Sequence, residues 1–108
     1  MTLQVEHWHT STDGELSETT MRKKLQAMGY HVTRYVYPPG TYFPDHSHEE
    51  DKIDAVLSGR FRMQLLGESI ILEAGDTLVV PRDMAHSAEV VGDDPVVSLD
   101  AVKPVTAE

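Results

Sequence analysis

Three histidines lie in two separate stretches of the chain, and their spacing is typical of metal ligands. His46 and His48 are separated by one residue, and His86 comes much later. Because side chains two apart on a β-strand point to the same face, His46 and His48 can reach one ion from a single extended segment. Neutral imidazoles bind divalent transition metals such as Fe, Zn, Ni, Mn or Co, and three protein ligands leave positions open for water, a chelating substrate or dioxygen. The pattern predicts a metal site without selecting the metal.

Short β-strands must position these histidines. Alternating apolar residues, β-branched residues and Gly or Pro turns predict a strand at residues 31–37 and seven more near residues 41–48, 53–58, 60–66, 69–73, 77–81, 86–91 and 95–102. Many short strands of even spacing indicate an all-β sandwich or small barrel, not a sheet of βαβ units.

One helix is predicted before the strands, from Ser17 to Gly29. Ser17 is a suitable N-cap, and Met21, Leu25 and Met28 recur at spacings of four and three, which gives the helix one apolar stripe. Gly29 can supply the left-handed end. We expect the stripe to pack on the strands.

Residues 1–15 are predicted to form an edge strand or arm followed by a turn-rich loop. His7 and His9 repeat the one-residue spacing, so they are candidates for a further metal pair or a lid. The alternative is a surface arm held by Trp8 against the barrel or a partner subunit, which is favoured because nothing in the sequence places the arm near the site.

Length and composition indicate a single domain: 108 residues with 40% hydrophobic residues can fill one core. We expect an arm and helix at residues 1–30, a barrel at 31–103 and a tail at 104–108. Nine basic against 18 acidic residues give a net charge of −9, which disfavours nucleic acids and anionic membranes as partners. The absence of cysteine, of a signal-peptide pattern at the start and of any long apolar run makes the cytoplasm the expected location.

Two motifs in this order resemble the paired signatures of the cupin superfamily, which are small double-stranded β-helix, or jelly-roll, barrels. The first motif is matched by Gly40, His46, His48 and Gly59, and the second by Gly75, Pro81 and His86. The resemblance implies a jelly-roll fold with one short N-terminal helix and suggests a homodimer. Superfamily members with three-histidine sites include iron-dependent oxygenases, so the resemblance makes a dioxygenase or an isomerase conceivable.

Three positions depart from the motifs. Lys52 stands where the family has a metal-binding glutamate, and a protonated lysine has no lone pair to offer a metal. Asp83 replaces a glycine and Val90 an asparagine. The resemblance therefore supports a site of three histidines and not the usual four ligands.

Strand parity places Lys52 and Asp54 on one face, which is the inward one if it continues that of His46 and His48. One hypothesis is that Lys52 and Asp54 orient a substrate oxygen or shuttle a proton beside the metal. The alternative is that Lys52 reaches out of the barrel to solvent or to the neighbouring acidic residues.

Weaker candidates surround the site. Glu50 could bend in as a fourth ligand, although the strand register argues against it. Tyr42 shares parity with His46 and could contact a ligand, though core packing is the simpler interpretation. Gln64 is a candidate ligand contact, but its alternation with apolar neighbours is more typical of the wet face of a half-buried strand.

Three functions fit these residues: a metal-dependent enzyme acting on a small oxygenated or anionic molecule, a non-catalytic binding or sensing module, and a structural barrel with an incidental metal. A three-histidine site keeps the full charge of its ion, which favours an anionic, bidentate small-molecule ligand such as an enolate, a hydroxy acid or a catecholate. No phosphate-binding loop or nucleophile elbow is visible, so covalent hydrolysis has no support.

Overall fold

The computed structural model describes residues 3–104, so the first two residues and residues 105–108 of the predicted tail at 104–108 lie outside the described part. Its elements follow one another as β1 (Val5–Glu6), α1 (Thr10–Asp13), α2 (Glu18–Ala27), β2 (His31–Tyr37), β3 (Tyr42–His46), β4 (Asp51–Ser58), β5 (Arg60–Leu65), β6 (Glu68–Leu72), β7 (Thr77–Val80), β8 (His86–Val91) and β9 (Val96–Lys103). The eight strands predicted from residue 31 onward are all present, with ends shifted by a few residues.

The strands form two antiparallel sheets. One sheet has the order β1-β7-β4-β9-β2 and the other the order β3-β8-β5-β6. Buried apolar side chains from both sheets pack together between them: Val56, Phe61, Met63, Leu65, Leu72, Leu78, Val80, Ala88, Val90 and Val96. The all-β architecture predicted from the strand pattern and the jelly-roll fold implied by the cupin resemblance are both confirmed.

Helix α2 packs on the outer face of the five-stranded sheet through two of the three residues of its predicted stripe, whereas the third, Met28, is the C-cap and is 49% exposed. Met21 and Leu25 are buried there in a second apolar cluster. The hydroxyl of Ser17 accepts a hydrogen bond from the Thr20 backbone N–H at 3.1 Å, and the Thr20 hydroxyl accepts one from the Ser17 N–H at 2.9 Å. This reciprocal pair satisfies backbone donors that the first helical turn leaves free.

The N-terminal arm is fastened to the barrel. Strand β1 pairs with β7, and the indole N–H of Trp8 donates to the Gly14 carbonyl at 2.9 Å. The Trp8 ring packs against the cluster under α2. Residues 10–13, predicted as part of a loop, instead form the single helical turn α1. The Gly14 N–H donates a hydrogen bond to the Thr10 carbonyl at the end of this turn.

Two motif glycines mark positions where the chain comes close to itself. Gly59 has φ +82°, and a Cβ atom there would lie 2.3 Å from the Pro95 carbonyl oxygen. Gly75 has φ +90°, and its Cβ would lie 2.7 Å from Cβ of Trp8. Both turns therefore require glycine for backbone conformation and for space.

Candidate metal centre

Two of the three histidines are direct cross-strand neighbours. His46 at the end of β3 and His86 at the start of β8 are paired in the antiparallel register, and their ring centroids are 4.3 Å apart. Opposed residues in such a pair lie on the same face of the sheet. The strand pairing therefore brings the two motifs together.

His48 lies just beyond the end of β3, and a backbone hydrogen bond holds its segment in place. The Asp83 N–H donates to the His48 carbonyl at 2.7 Å. Asp83 has φ +62°, a left-handed conformation that aspartate tolerates better than most residues. The aspartate that replaces the motif glycine thus keeps the turn shape that this contact needs.

The three imidazoles converge on one point. One ring nitrogen from each of His46, His48 and His86 lies within 4.8 Å of the others, and this is the only such group of histidine and acidic side chains among residues 3–104. The other two centroid distances are 4.8 Å between His46 and His48 and 5.2 Å between His48 and His86.

Backbone carbonyls fix the orientation of two rings. Nδ1 of His46 lies 2.7 Å from the Pro44 carbonyl, and Nδ1 of His86 lies 3.0 Å from the Met84 carbonyl. Since a carbonyl can only accept, these Nδ1 atoms carry the proton and leave the Nε2 lone pairs free. Nε2 of His48 is buried and has no hydrogen-bond partner in the described residues. This donor set fits a divalent transition metal.

The environment keeps two of the rings neutral. Burial, followed by the nearby Lys52 ammonium, lowers the pKa of His48. Burial also lowers the pKa of His86, against the opposing effect of its bond to the Met84 carbonyl. Neutral imidazole is the form that binds a metal ion.

The histidines open into a cavity of about 340 Å³ between the two sheets. Its lining combines an aromatic and apolar surface with a polar wall, and comprises Tyr35, Tyr37, Phe43, His46, His48, Lys52, Asp54, Phe61, Met63, His86, Ala88 and Asp100. This volume is at the lower end of the range for small-molecule sites.

Lys52 and Asp54 both line this cavity, on the face that strand parity predicted. The ammonium does not reach the acidic residues before it. Its Nζ lies 2.8 Å from Oδ1 of Asp100 on the neighbouring strand β9, and the two side chains are only 12% and 17% exposed. Asp54 is 8% exposed and is the register partner of Asp100. Burial raises the pKa of Asp54 to about 7, with Lys52 opposing and Asp100 adding to the effect.

Two candidate ligand contacts lie elsewhere. The parity argument for Tyr42 is wrong because a β-bulge between Phe43 and His46 shifts the register. Phe43 consequently lines the cavity, whereas Tyr42 is 61% exposed. Gln64 points away from the buried face of β5 and lines a separate, larger surface cavity of about 410 Å³ at the β5–β6 turn, which contains none of the three histidines.

The remaining candidate ligands do not join the cluster. Glu50 contributes no oxygen to it. His7 pairs through Nδ1 with the carboxylate of Asp76, and His9 precedes α1 as its N-cap. His7, Trp8 and His9 therefore lie in a surface arm and do not join the three-histidine cluster.

Sequence reasoning missed the residues that complete the cavity. Asp100 lies on β9, far along the chain from Lys52, and Tyr37 and Phe61 come from strands in different sheets. The only available signal was a single acidic residue within a largely apolar strand, Val96–Lys103. Burial raises the pKa of the Tyr37 phenol above its usual value, so its hydroxyl stays protonated.

The family model for the cupin domain matches residues 33–102. Because the match covers well over half of the chain, the protein belongs to the cupin family. A nitrosourea synthase from Streptomyces achromogenes subsp. streptozoticus is 32% identical over 72 residues, which is 66% of this chain but only 15% of the synthase. No helix among residues 3–104 is long and apolar enough to cross a membrane.

Solved structures of similar proteins have the same fold. KdgF from Halomonas sp. is 27% identical with a TM-score of 0.62, over 71% of this chain and 72% of that one. The DMSP lyase DddQ from Ruegeria pomeroyi DSS-3 is 24% identical with a TM-score of 0.64, over 73% of this chain and 41% of the lyase. At that identity the likeness to the lyase extends to the fold alone.

Proposed function

We propose that this cupin holds one divalent transition metal at His46, His48 and His86 and acts there on a small oxygenated or anionic molecule. The observation that carries the proposal is the convergence of three imidazole nitrogens, with His48 Nε2 buried and without a partner among the described residues. A buried polar atom without a partner is costly, and a metal ion bound there would remove that cost.

The charge of the site indicates the ligand. Three neutral imidazoles leave a dication uncompensated, and Lys52 occupies the place of the carboxylate that the cupin motif supplies. An anionic group with two oxygen atoms would neutralise the ion and fill two open positions. The small cavity limits the ligand to a compact molecule.

The reaction we propose is dioxygenase-like or isomerase-like. The metal would supply Lewis acidity or a site for dioxygen when bound. Lys52 and Asp54 would orient a substrate oxygen or hold a proton beside it, because both line the same cavity as the histidines. The similarity to a protein named as a nitrosourea synthase supports an enzyme on this fold.

A non-catalytic binding or sensing module is the second candidate. Lys52 favours it, since its ammonium is already within ion-pair distance of Asp100. A proton shuttle at Lys52 would have to disrupt that pair, whereas ligand binding would not.

Oxygen uptake separates the two candidates. Iron(II)-loaded protein is mixed with catechols, diketones and thiols, and His86→Ala serves as the matched control. A dioxygenase-like enzyme consumes oxygen with at least one class, and the control does not. Ligand-induced spectral change of the metal without uptake or conversion of any probe would assign the binding module instead.

We also propose that residues 1–108 form one domain and that two copies pair. The five-stranded sheet ends in β2, an edge strand with exposed Tyr35 and Val36. Exposed edges with apolar side chains favour pairing with a second copy.

A further inference from the structure

The cavity wall contributed by the five-stranded sheet carries a cation that is fixed in place. The Lys52 side chain is 12% exposed, and its Nζ lies 2.8 Å from Oδ1 of Asp100. A lysine normally keeps its ammonium in water, and burial is tolerated only with a partner. Asp100 therefore determines where the ammonium lies.

The ammonium retains hydrogen-bonding capacity on the cavity side. It has three N–H donors, and Asp100 is its only ion-pair partner among residues 3–104. Asp100 Oδ1 itself lacks a hydrogen-bond partner of good angular geometry in that part of the chain, despite the short ion-pair distance. The ion pair therefore leaves hydrogen-bonding capacity free on both Lys52 and Asp100.

The two carboxyl groups beside Lys52 do not turn the wall into a region that repels anions. Asp54 and Asp100 are cross-strand partners on the same face. Burial and the adjacent Asp100 carboxylate raise the pKa of Asp54, so the pair carries less than its full charge at neutral pH. The wall is therefore close to electrically neutral, and Lys52 is among the residues that line the cavity.

The opposite wall belongs to the four-stranded sheet and contains the histidines His46 and His86. Beside them lie Phe43, Phe61 and Met63, which form an apolar surface. Lys52 and His48 line the same cavity. A compact molecule can thus span from the metal position past the apolar surface to the ammonium.

We infer that Lys52 is a second anchoring point for the same ligand that binds the metal, and that Asp100 is the residue that positions it. The ligand class is a small diacid-like molecule. One end is a chelating group such as a 2-hydroxy acid, the middle is a short apolar chain or ring, and the far end is a second anionic group for Lys52. This inference rests on the proposed function, since the first anchoring point is the metal.

The test uses full-length protein loaded with cobalt(II), whose visible absorption reports ligands that enter its coordination sphere. The probes are malate, 2-hydroxyglutarate and 2-hydroxyadipate, each measured beside the 2-hydroxy monoacid of the same carbon number. We expect at least one diacid to bind about tenfold or more tightly than its monoacid, the effect of one charge-assisted hydrogen bond.

Lys52→Met should reduce that preference by about tenfold while leaving the cobalt spectrum of the ligand-free protein unchanged. Lys52→Arg should retain part of it. The double variant Lys52→Met/Asp100→Asn removes both charges and guards against misfolding caused by an unpaired buried carboxylate. Asp100→Asn alone should weaken diacid binding only, and Asp100→Glu should restore part of the loss.

The outcomes distinguish failure of the proposed metal site from failure of the second anchoring point at Lys52. If cobalt does not bind, or if no hydroxy acid changes its spectrum, the proposed function fails and the second anchor with it. If cobalt and the monoacids bind normally but no diacid is preferred, or the preference survives in Lys52→Met, the inference alone is overturned.

Discussion

Successive side chains of strands β4 and β9 point to opposite faces of the five-stranded sheet, and the two faces differ in chemistry. On the face toward α2 the side chains are apolar and at most 3% exposed: Ile53, Ala55, Leu99 and Ala101. On the face toward the other sheet, polar side chains gather at one end: Lys52, Asp54, Ser98 and Asp100. Between two packed sheets an apolar inner face is the usual arrangement.

The difference between the two faces indicates that the face toward α2 stabilises the fold and that the face toward the other sheet binds a ligand. Buried apolar pairs on the helix side stabilise the fold directly. A buried ion pair contributes little net stability, because the cost of desolvating the charges offsets their attraction. Polar residues opposite the three histidines therefore indicate a binding wall rather than a second core.

The helix side should give the largest loss of stability. Leu25 is 2% exposed, and Leu25→Ala removes its contacts with the sheet and leaves a cavity. We expect the free energy of unfolding to fall by about 2–5 kcal/mol, measured by urea denaturation. Metal stoichiometry of the folded fraction should be unchanged.

Gln26→Ala is the matched control, because Gln26 lies next in α2 but is exposed. Its effect should stay within about 0.5 kcal/mol. If Leu25→Ala and Gln26→Ala lowered the free energy of unfolding equally, burial of α2 against the sheet would not stabilise the protein. The two faces of the sheet would then not differ in their contribution to stability.

The polar face of the five-stranded sheet should make the stability of the protein depend on pH. Asp54 has a folded-state pKa of about 7 against 3.8 when unfolded, so the folded protein binds the extra proton between these values. Its stabilising effect is complete below pH 3.8 and is lost as pH rises toward 7. In metal-free protein, the stability of wild type relative to Asp54→Asn should fall by at least about 1 kcal/mol over this window.

Taking the difference between wild type and Asp54→Asn removes the titration of groups that both proteins share, including the histidines. Urea denaturation at several pH values between 4 and 7 gives the measurement. A flat difference, or one that grows with pH, would mean that Asp54 is not held in a buried, proton-retaining environment.

The smallest effects should come from residues outside the cavity. Gln64→Ala and Tyr42→Phe alter side chains that are exposed and absent from the histidine cavity. Both should change stability by less than about 0.5 kcal/mol and leave metal and ligand affinity as in wild type. A tenfold loss of ligand affinity in either would extend the site beyond the described cavity.

Much of the site was predictable because local periodicity determines which face a strand residue occupies. The spacing of His46 and His48, the parity of Lys52 and Asp54 and the apolar stripe of α2 all depend on neighbours a few residues away. The structure places Lys52 and Asp54 on the cavity face and buries Met21 and Leu25 as the periodicity predicts, whereas Met28 is 49% exposed and His48 lies beyond the end of β3.

The predictions that were wrong or missing depend on features that local periodicity does not determine. A bulge in β3 reverses parity between Tyr42 and His46, and a single sequence gives no sign of one extra residue. The partner of Lys52 was unpredictable because Asp100 becomes its neighbour only through the pairing of β4 with β9. Local patterns carry no information about which distant strands adjoin.

The central claim is that three imidazoles hold one metal ion, and metal content measures it most directly. Elemental analysis of protein purified without added metal should find roughly one transition-metal ion per chain. The His48→Ala variant should retain much less, because it removes the nitrogen that is buried without a partner. A ratio below about one tenth in wild type that does not rise on adding iron(II), cobalt(II) or zinc would contradict the account.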